Sequence, residues 1–189
     1  MDEKILVFLN SLGSERWDAF WLTVTDQFFW WWLYLILGAV ILYYYGWKKG
    51  LMVLTLLVIL ITLNDQLVNF IKHTTARPRP CNREHLQAVL RILKCTPQYS
   101  FFSGHAANSF LFASAYWQLL KDKLPRSILL ALFVWAGLLA YSRIYVGVHY
   151  PGDILAGMLE GIIVGTLTGK FIRKKIPPLS RKKPKNFKE

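Results

Sequence analysis

Apolar residues fall along the chain in five blocks, and each block predicts one helix. The first, 28–45, holds no charged residue; Trp30, Trp31 and Trp32 sit near one end and Tyr43, Tyr44, Tyr45 and Trp47 near the other. Aromatic rings gather at both membrane–water interfaces, so this block reads as a bilayer-crossing helix. The second, 51–71, opens on the run LMVLTLLVILITL; the third, 106–120, is short and rich in small residues; the fourth is 127–141; the fifth, 154–171, carries several glycines. A hydrocarbon core of about 30 Å takes about 20 helical residues to cross. Blocks three and four are therefore expected to extend through their polar ends, to tilt, or to lie inside a bundle. Ahead of the blocks, Ile5, Leu6, Phe8, Leu9 and Leu12, then Trp17, Phe20, Trp21 and Val24, recur at helical spacing. They predict one or two short amphipathic helices within 1–25, lying at the outer interface or packed on the bundle. The expected fold is all-α, a polytopic transmembrane helical bundle of about five spans with N-terminal amphipathic interfacial helices.

Composition agrees with that pattern. Of 189 residues 54% are apolar and only 18% charged, against roughly 25% charged in soluble domains. This disfavours a soluble enzyme, a nucleic-acid module and a secreted disulfide scaffold. The formal net charge is +12, but nine Lys or Arg and a single Glu fall between Lys170 and Glu189, directly after an apolar block. That placement marks a stop-transfer flank rather than a nucleic-acid contact. Lys48 and Lys49 separate blocks one and two, and Lys121, Lys123 and Arg126 separate three and four. With five spans these regions and the tail share one face, expected to be cytoplasmic. The division expected is a membrane-embedded domain over 1–175 and a basic, disordered cytoplasmic tail over 176–189. Loop 73–104 then faces outward although it carries Arg77, Arg79, Arg83, Arg91 and Lys94. A charge excess on the wrong side of the insertion rule calls for another cause, such as an anionic ligand.

Three polar clusters interrupt the apolar sequence: Lys72 to Pro80, Phe102-Ser103-Gly104-His105, and Ser142-Arg143 followed by His149 and Asp153. The five-span plan brings all three to the outer face at similar depth. Lys72, Arg79 and Arg143 supply positive charge, and the Arg fork suits bidentate contact with phosphoryl oxygens. Ser103 and the Gly104 amide precede a helix, where unpaired N–H groups attract anions. His105 and His149 are the candidates for a general acid and a nucleophile. Asp153, four residues on, lies beside His149 if one helix carries both. His73 and Arg77 are expected as head-group contacts or as parts of a solvated loop. Asn64, Asp65 and Asn69 lie in block two, Asp65 on the face of Lys72 two turns deeper; structural hydrogen bonding is expected of them.

Lys72 with six residues before Arg79-Pro80, then Ser103-Gly104-His105, then Ser142-Arg143 with five residues before His149 and three before Asp153, resembles the three-part signature of the type 2 phosphatidic acid phosphatase superfamily. Phe102 stands where that family usually has Pro. The resemblance implies a helical membrane domain and metal-independent hydrolysis of a lipid phosphate, with no cofactor. It implies His149 as the nucleophile of a phosphohistidine intermediate, Asp153 orienting it, and His105 protonating the leaving oxygen. Lys72, Arg79, Ser103, Gly104 and Arg143 would bind the phosphoryl group. The substrates it suggests are undecaprenyl diphosphate, phosphatidylglycerol phosphate, phosphatidic acid or the 1-phosphate of lipid A, met at the outer face of a bacterial inner membrane. Two other classes stay open: a non-catalytic lipid-binding or transport protein, and a vanadium haloperoxidase-like enzyme. Cys81 and Cys95 both fall in the outer loop, where an oxidising compartment permits a disulfide; a zinc site of Cys81, His85, Cys95 and His105 has irregular spacing. The oligomeric state is not legible in the sequence.

Overall fold

The computed structural model describes residues 1–180; residues 181–189, most of the expected basic tail, lie outside the described residues. Two short helices, α1 (Asp2–Ser11) and α2 (Glu15–Val24), lead through a 3₁₀ turn into α3 (Trp31–Tyr45). Gly46, at φ 75°, breaks the chain between α3 and α4 (Trp47–Thr75). A loop with the four-residue α5 (Glu84–Gln87) leads to α6 (Gly104–Leu120), α7 (Arg126–Tyr145) and α8 (Pro151–Lys175).

Among the described residues four helices are long and apolar enough to cross a membrane: α3 with its preceding turn, α4, α7 and α8. The chain is a polytopic helical membrane bundle, and the fifth expected span departs from the pattern. Helix α6 has 17 residues, twelve of them buried, including Ala106, Ala107, Ser109, Ala113 and Ala115. It packs against α4, α7 and α8. Its neighbours are protein rather than lipid, so small residues serve where lipid contact would demand large apolar ones.

The closest of these packings rests on α8, where Gly157, Gly161, Gly165 and Gly169 recur every fourth residue and face the α6 backbone. A Cβ on Gly157 would stand 2.6 Å from the Ser103 carbonyl oxygen, and one on Gly169 would stand 2.8 Å from Ala115 Cα. Residues four apart share a helical face, so the glycine stripe lets two backbones touch along three turns.

Up-down connectivity gathers the loops at two ends. At one end Leu179 N–H donates to the Tyr44 carbonyl (2.8 Å) and Lys123 Nζ to the Leu179 carbonyl (2.8 Å). Residues 176–180, expected to be disordered, are thus tied to the ends of α3 and α6. At the other end Asn10, 1% exposed, donates to the Ile144 and Tyr145 carbonyls (3.1 and 2.9 Å). Both carbonyls belong to the last turn of α7, where the i→i+4 ladder ends; the Ile144 carbonyl also accepts the Gly147 N–H (3.0 Å). Asn10 also holds the Arg91 backbone, donating to its carbonyl (3.1 Å) and accepting its N–H (2.8 Å). The N-terminal helices therefore pack on the bundle at its loop-rich end. In the same region a disulfide joins Cys81 to Cys95.

Candidate active site

All three polar clusters converge at the loop-rich end. Helix α4 delivers Lys72 in its last turn, and Ala76, in the left-handed conformation, ends the helix. Arg77 precedes Pro78, which disfavours helical backbone at Arg77, and the chain turns inward to Arg79. The Arg79 side chain is 3% exposed; Nε donates to the Gln98 carbonyl (2.9 Å) and Nη1 to the Val148 carbonyl (3.4 Å). Nη1 also lies 3.3 Å from His149 Nε2. A guanidinium has only donors, so Nε2 is the nitrogen with the lone pair. The proton then sits on Nδ1, which is 3.4 Å from Asp153 Oδ2 and 3.4 Å from Ser100 Oγ.

His149 and Asp153 do not meet through helical i, i+4 spacing. Helix α8 starts at Pro151 with Tyr150 as its N-cap, so His149 stands outside it. Asp153 is the third residue of α8 and accepts the Tyr150 N–H (3.0 Å), the carboxylate half of a capping box. The cap brings its carboxylate back onto His149. Ser100 Oγ donates to the same Oδ2, and the Asp153 carbonyl accepts Ser103 N–H (3.1 Å). Burial pushes the His149 imidazole from 6.5 down to about 3, the Asp153 hydrogen bond opposing it in part. A neutral imidazole with a bare Nε2 follows.

Arg143, near the end of α7, is buried; Nη1 donates to Thr25 Oγ1, and Nε has no protein partner. An unpaired buried guanidinium N–H is costly unless a ligand meets it. Gly104, the first residue of α6, lines the cavity with Lys72, Arg79, His105, Arg143 and His149. A Cβ there would lie 3.8 Å from Lys72 Nζ. The cavity has a volume of about 900 Å³ and runs on from these polar groups along apolar walls such as Leu42, Leu54, Leu57 and Ile61.

Three of the expected residues make their contacts in the structure away from the phosphate-binding groups. Ser103, expected on the phosphate, is fully buried, and its hydroxyl accepts the Ala106 N–H (3.5 Å) as the N-cap of α6. Arg77, expected at a head group, lies behind the His149–Asp153 pair: Nη1 donates to Asp153 Oδ1 (2.6 Å) and Nη2 to Asp2 Oδ2 (2.6 Å). Its guanidinium also stacks 3.8 Å over the Tyr150 ring. Two acids and a ring face saturate this cation, leaving it little to offer a lipid. His73 lies edge-on to Tyr99 (5.7 Å) rather than against the cavity. Ser100, Thr25, Asn10 and Asp2, which also accepts the Gly152 N–H (2.8 Å), join the site without any sequence signal. Among the described residues no three His, Cys, Asp or Glu side chains group into a metal site, so Cys81, His85, Cys95 and His105 do not converge on zinc.

A cavity with fixed cations around an oriented imidazole, in a bundle of apolar helices, has the chemistry that phosphoryl transfer at a bilayer calls for. The PAP2 superfamily model matches residues 50–177, and the chain belongs to that family; it is a membrane lipid phosphatase. It is 32% identical over 171 residues to a lipid A 4'-phosphatase of Bacteroides thetaiotaomicron, covering 88% of this chain and 75% of that protein. The fold is similar to the crystal structure of a PAP2 type phosphatidylglycerolphosphate phosphatase from Bacillus subtilis, with a TM-score of 0.73 at 23% identity over 99% of this chain and 87% of that one. It is also similar to Aquifex aeolicus LpxE, with a TM-score of 0.67 at 27% identity over 87% of this chain and 92% of that one.

Proposed function

We propose that this chain hydrolyses the phosphate of a membrane lipid through a phosphohistidine on His149, without a metal ion, and that a lipid A phosphate is the leading substrate. The observation that carries the chemistry is the polarity of His149: Nδ1 is backed by Asp153, and Nε2 faces the Arg79 guanidinium in the cavity. Nε2 attacks phosphorus, the P–O bond to the lipid breaks, and His105 passes a proton to the leaving oxygen. His105 then takes a proton from water, the hydroxide displaces Nε2, and inorganic phosphate leaves. Lys72, Arg79, Arg143 and the N–H groups at the start of α6 hold the phosphoryl oxygens. Fixed cations of this kind stabilise charge as it spreads in the transition state. The likeness to a lipid A 4'-phosphatase over 88% of the chain favours the saccharolipid over phosphatidic acid, phosphatidylglycerol phosphate and undecaprenyl diphosphate.

In this reading α6 is the fifth span, shielded from lipid by its neighbours. Lys48, Lys49, Lys121, Lys123 and Arg126 then mark the cytoplasmic end, and the site faces the periplasm of a bacterial inner membrane. The test is phosphate release by detergent-purified protein from the four lipids, with and without chelator, beside His149→Ala. Release that the chelator leaves intact and the variant lacks, with acid-labile phosphate on the wild-type protein after rapid quench, is expected. Equal release by His149→Ala would refute the assignment.

A further inference from the structure

The cavity contains one carboxylate that the phosphate-binding groups do not require. Asp65 lies on α4 two turns before Lys72, lines the same cavity and is exposed. Its placement is close: the point where a Gly104 Cβ would stand is 3.8 Å from Lys72 Nζ and 4.0 Å from Asp65 Oδ1. A phosphate held by Lys72 and the start of α6 therefore has Asp65 at its side, where the polar end of the cavity gives way to the apolar walls. The carboxylate is held in place rather than hanging free. Asn69 Nδ2 donates to Oδ2 (3.2 Å), and Asn108 Nδ2 donates to Oδ1 (3.4 Å). Asn108 Oδ1 in turn accepts from Asn64 Nδ2 (2.9 Å). A carboxylate has about four lone-pair positions, and these two amides leave acceptor capacity facing the cavity.

An acid beside an anion-binding site works against phosphate affinity, and intramembrane acids are expensive in themselves. Such a group makes sense when the substrate brings a hydrogen-bond donor to it. We propose that Asp65 is a specificity-determining residue, accepting a hydrogen bond from a hydroxyl or amide N–H on the carbon next to the phosphate ester. Its charge also disfavours lipids whose scissile phosphate is joined to a second phosphate. The substrate class is then a lipid phosphomonoester on a hydroxylated or acylamino scaffold, such as a sugar or glycerol, in preference to a prenyl diphosphate. This rests on the phosphatase reading above and narrows its substrate.

The experiment compares kcat/KM of the full chain, Asp65→Asn and Asp65→Ala in detergent micelles on three probes. Phosphatidylglycerol phosphate has a hydroxyl beside its phosphate ester, phosphatidic acid has an acyl ester there, and farnesyl diphosphate has a second phosphate. The wild type is expected to favour the first probe over the second by about ten- to hundredfold, the worth of one hydrogen bond to a charged group. Asp65→Asn is expected to erase most of that preference and to raise diphosphate hydrolysis about tenfold relative to the hydroxylated probe. Asp65→Ala, which cannot accept at all, gives the same direction, and melting temperatures near wild type show that both variants fold. If Asp65 only balances the charge of Lys72, all three probes shift by one common factor, and the proposal is overturned. The two readings fail separately. Hydrolysis that depends on His149 with unmoved probe ratios sinks the role of Asp65 alone. No hydrolysis of any probe by folded wild type, or equal hydrolysis by His149→Ala, sinks both.

Discussion

The spacing between α6 and α8 sets the active-site geometry, and Gly157→Ala tests it most directly. Asp153 lies one turn before Gly157 on α8, and Ser103-Gly104-His105 opens α6 directly opposite. The new Cβ would stand 2.6 Å from the Ser103 carbonyl oxygen and 3.2 Å from Ala107 N, both backbone atoms that no side-chain rotation can clear. Ordinary contact begins at 3.4 Å, so the helices must part by about 0.8 Å, the difference between these distances, at the point where Ser103 N–H meets the Asp153 carbonyl. Forcing a methyl into close packing costs about 1–3 kcal/mol, and a shift approaching 1 Å in a catalytic constellation costs about a hundredfold in rate. Gly157→Ala is therefore expected to lose about two orders of magnitude in kcat while its melting temperature in detergent falls by only some degrees. Gly137→Ala is the control. Nothing lies within 4 Å of its Cβ position, and Ala is the better helix former by about 1 kcal/mol, so activity stays at the wild-type level. A Gly157→Ala enzyme within twofold of wild type would refute the claim that the glycine contact sets the alignment of His105 with His149.

Two further outcomes are expected. Reduction of the Cys81–Cys95 bridge, or Cys81→Ser with Cys95→Ser, releases a loop with a sequence separation of 14 and lowers stability by up to about 3 kcal/mol in the chain-entropy model; thermal melts with and without reductant, showing a lower midpoint in reductant, check it. Because burial depresses His149 to about 3 from 6.5, the unfolded chain binds a proton below pH 6.5 that the folded chain refuses. The contribution of this group is then complete above pH 6.5 and falls as pH drops from there toward 3, by about 2 kcal/mol at pH 5; His149→Gln should make the acid slope shallower, and an unchanged slope would contradict it.

Much of this was legible because it is local. Helices α3, α4 and α8 announce themselves by long, predominantly apolar runs, and Lys72, Arg79, Gly104, His105, Arg143 and His149 by sharp polar punctuation of the sequence around them. Helix α6 was harder to place, since a helix wrapped in protein has no need of lipid-facing side chains and its hydropathy falls accordingly. The remaining contributors are single polar residues whose partners are far away in sequence. Ser100 lies 53 residues from Asp153, Thr25 118 from Arg143, and Asn10 134 from Ile144. Nothing in a polar loop or a short amphipathic helix distinguishes such residues from solvated ones. Arg77 fits neither a head-group contact nor a solvated loop for the opposite reason: its basic neighbours suggest a ligand, while Asp2 and Asp153, distant in sequence, claim its charge.

The hold that Asn10 has on Arg91, Ile144 and Tyr145 also governs the order in which the enzyme can come to life. Asn10 is made well before Ile144 and Tyr145, which close α7 and follow both α3 and α4. Most of the groups assigned to the phosphate arrive early, Lys72, Arg79 and the start of α6 before α7 begins, and Arg143 follows near the end of α7. The nucleophile and its carboxylate arrive later still, just before α8 and within its first turn. A nascent chain halted before α8 carries Lys72 and Arg79 but neither Asp153 nor the glycine face that seats α8 on α6, so hydrolysis begins only once α8 has been delivered and Asp2, in α1, has met the Gly152 N–H at its start.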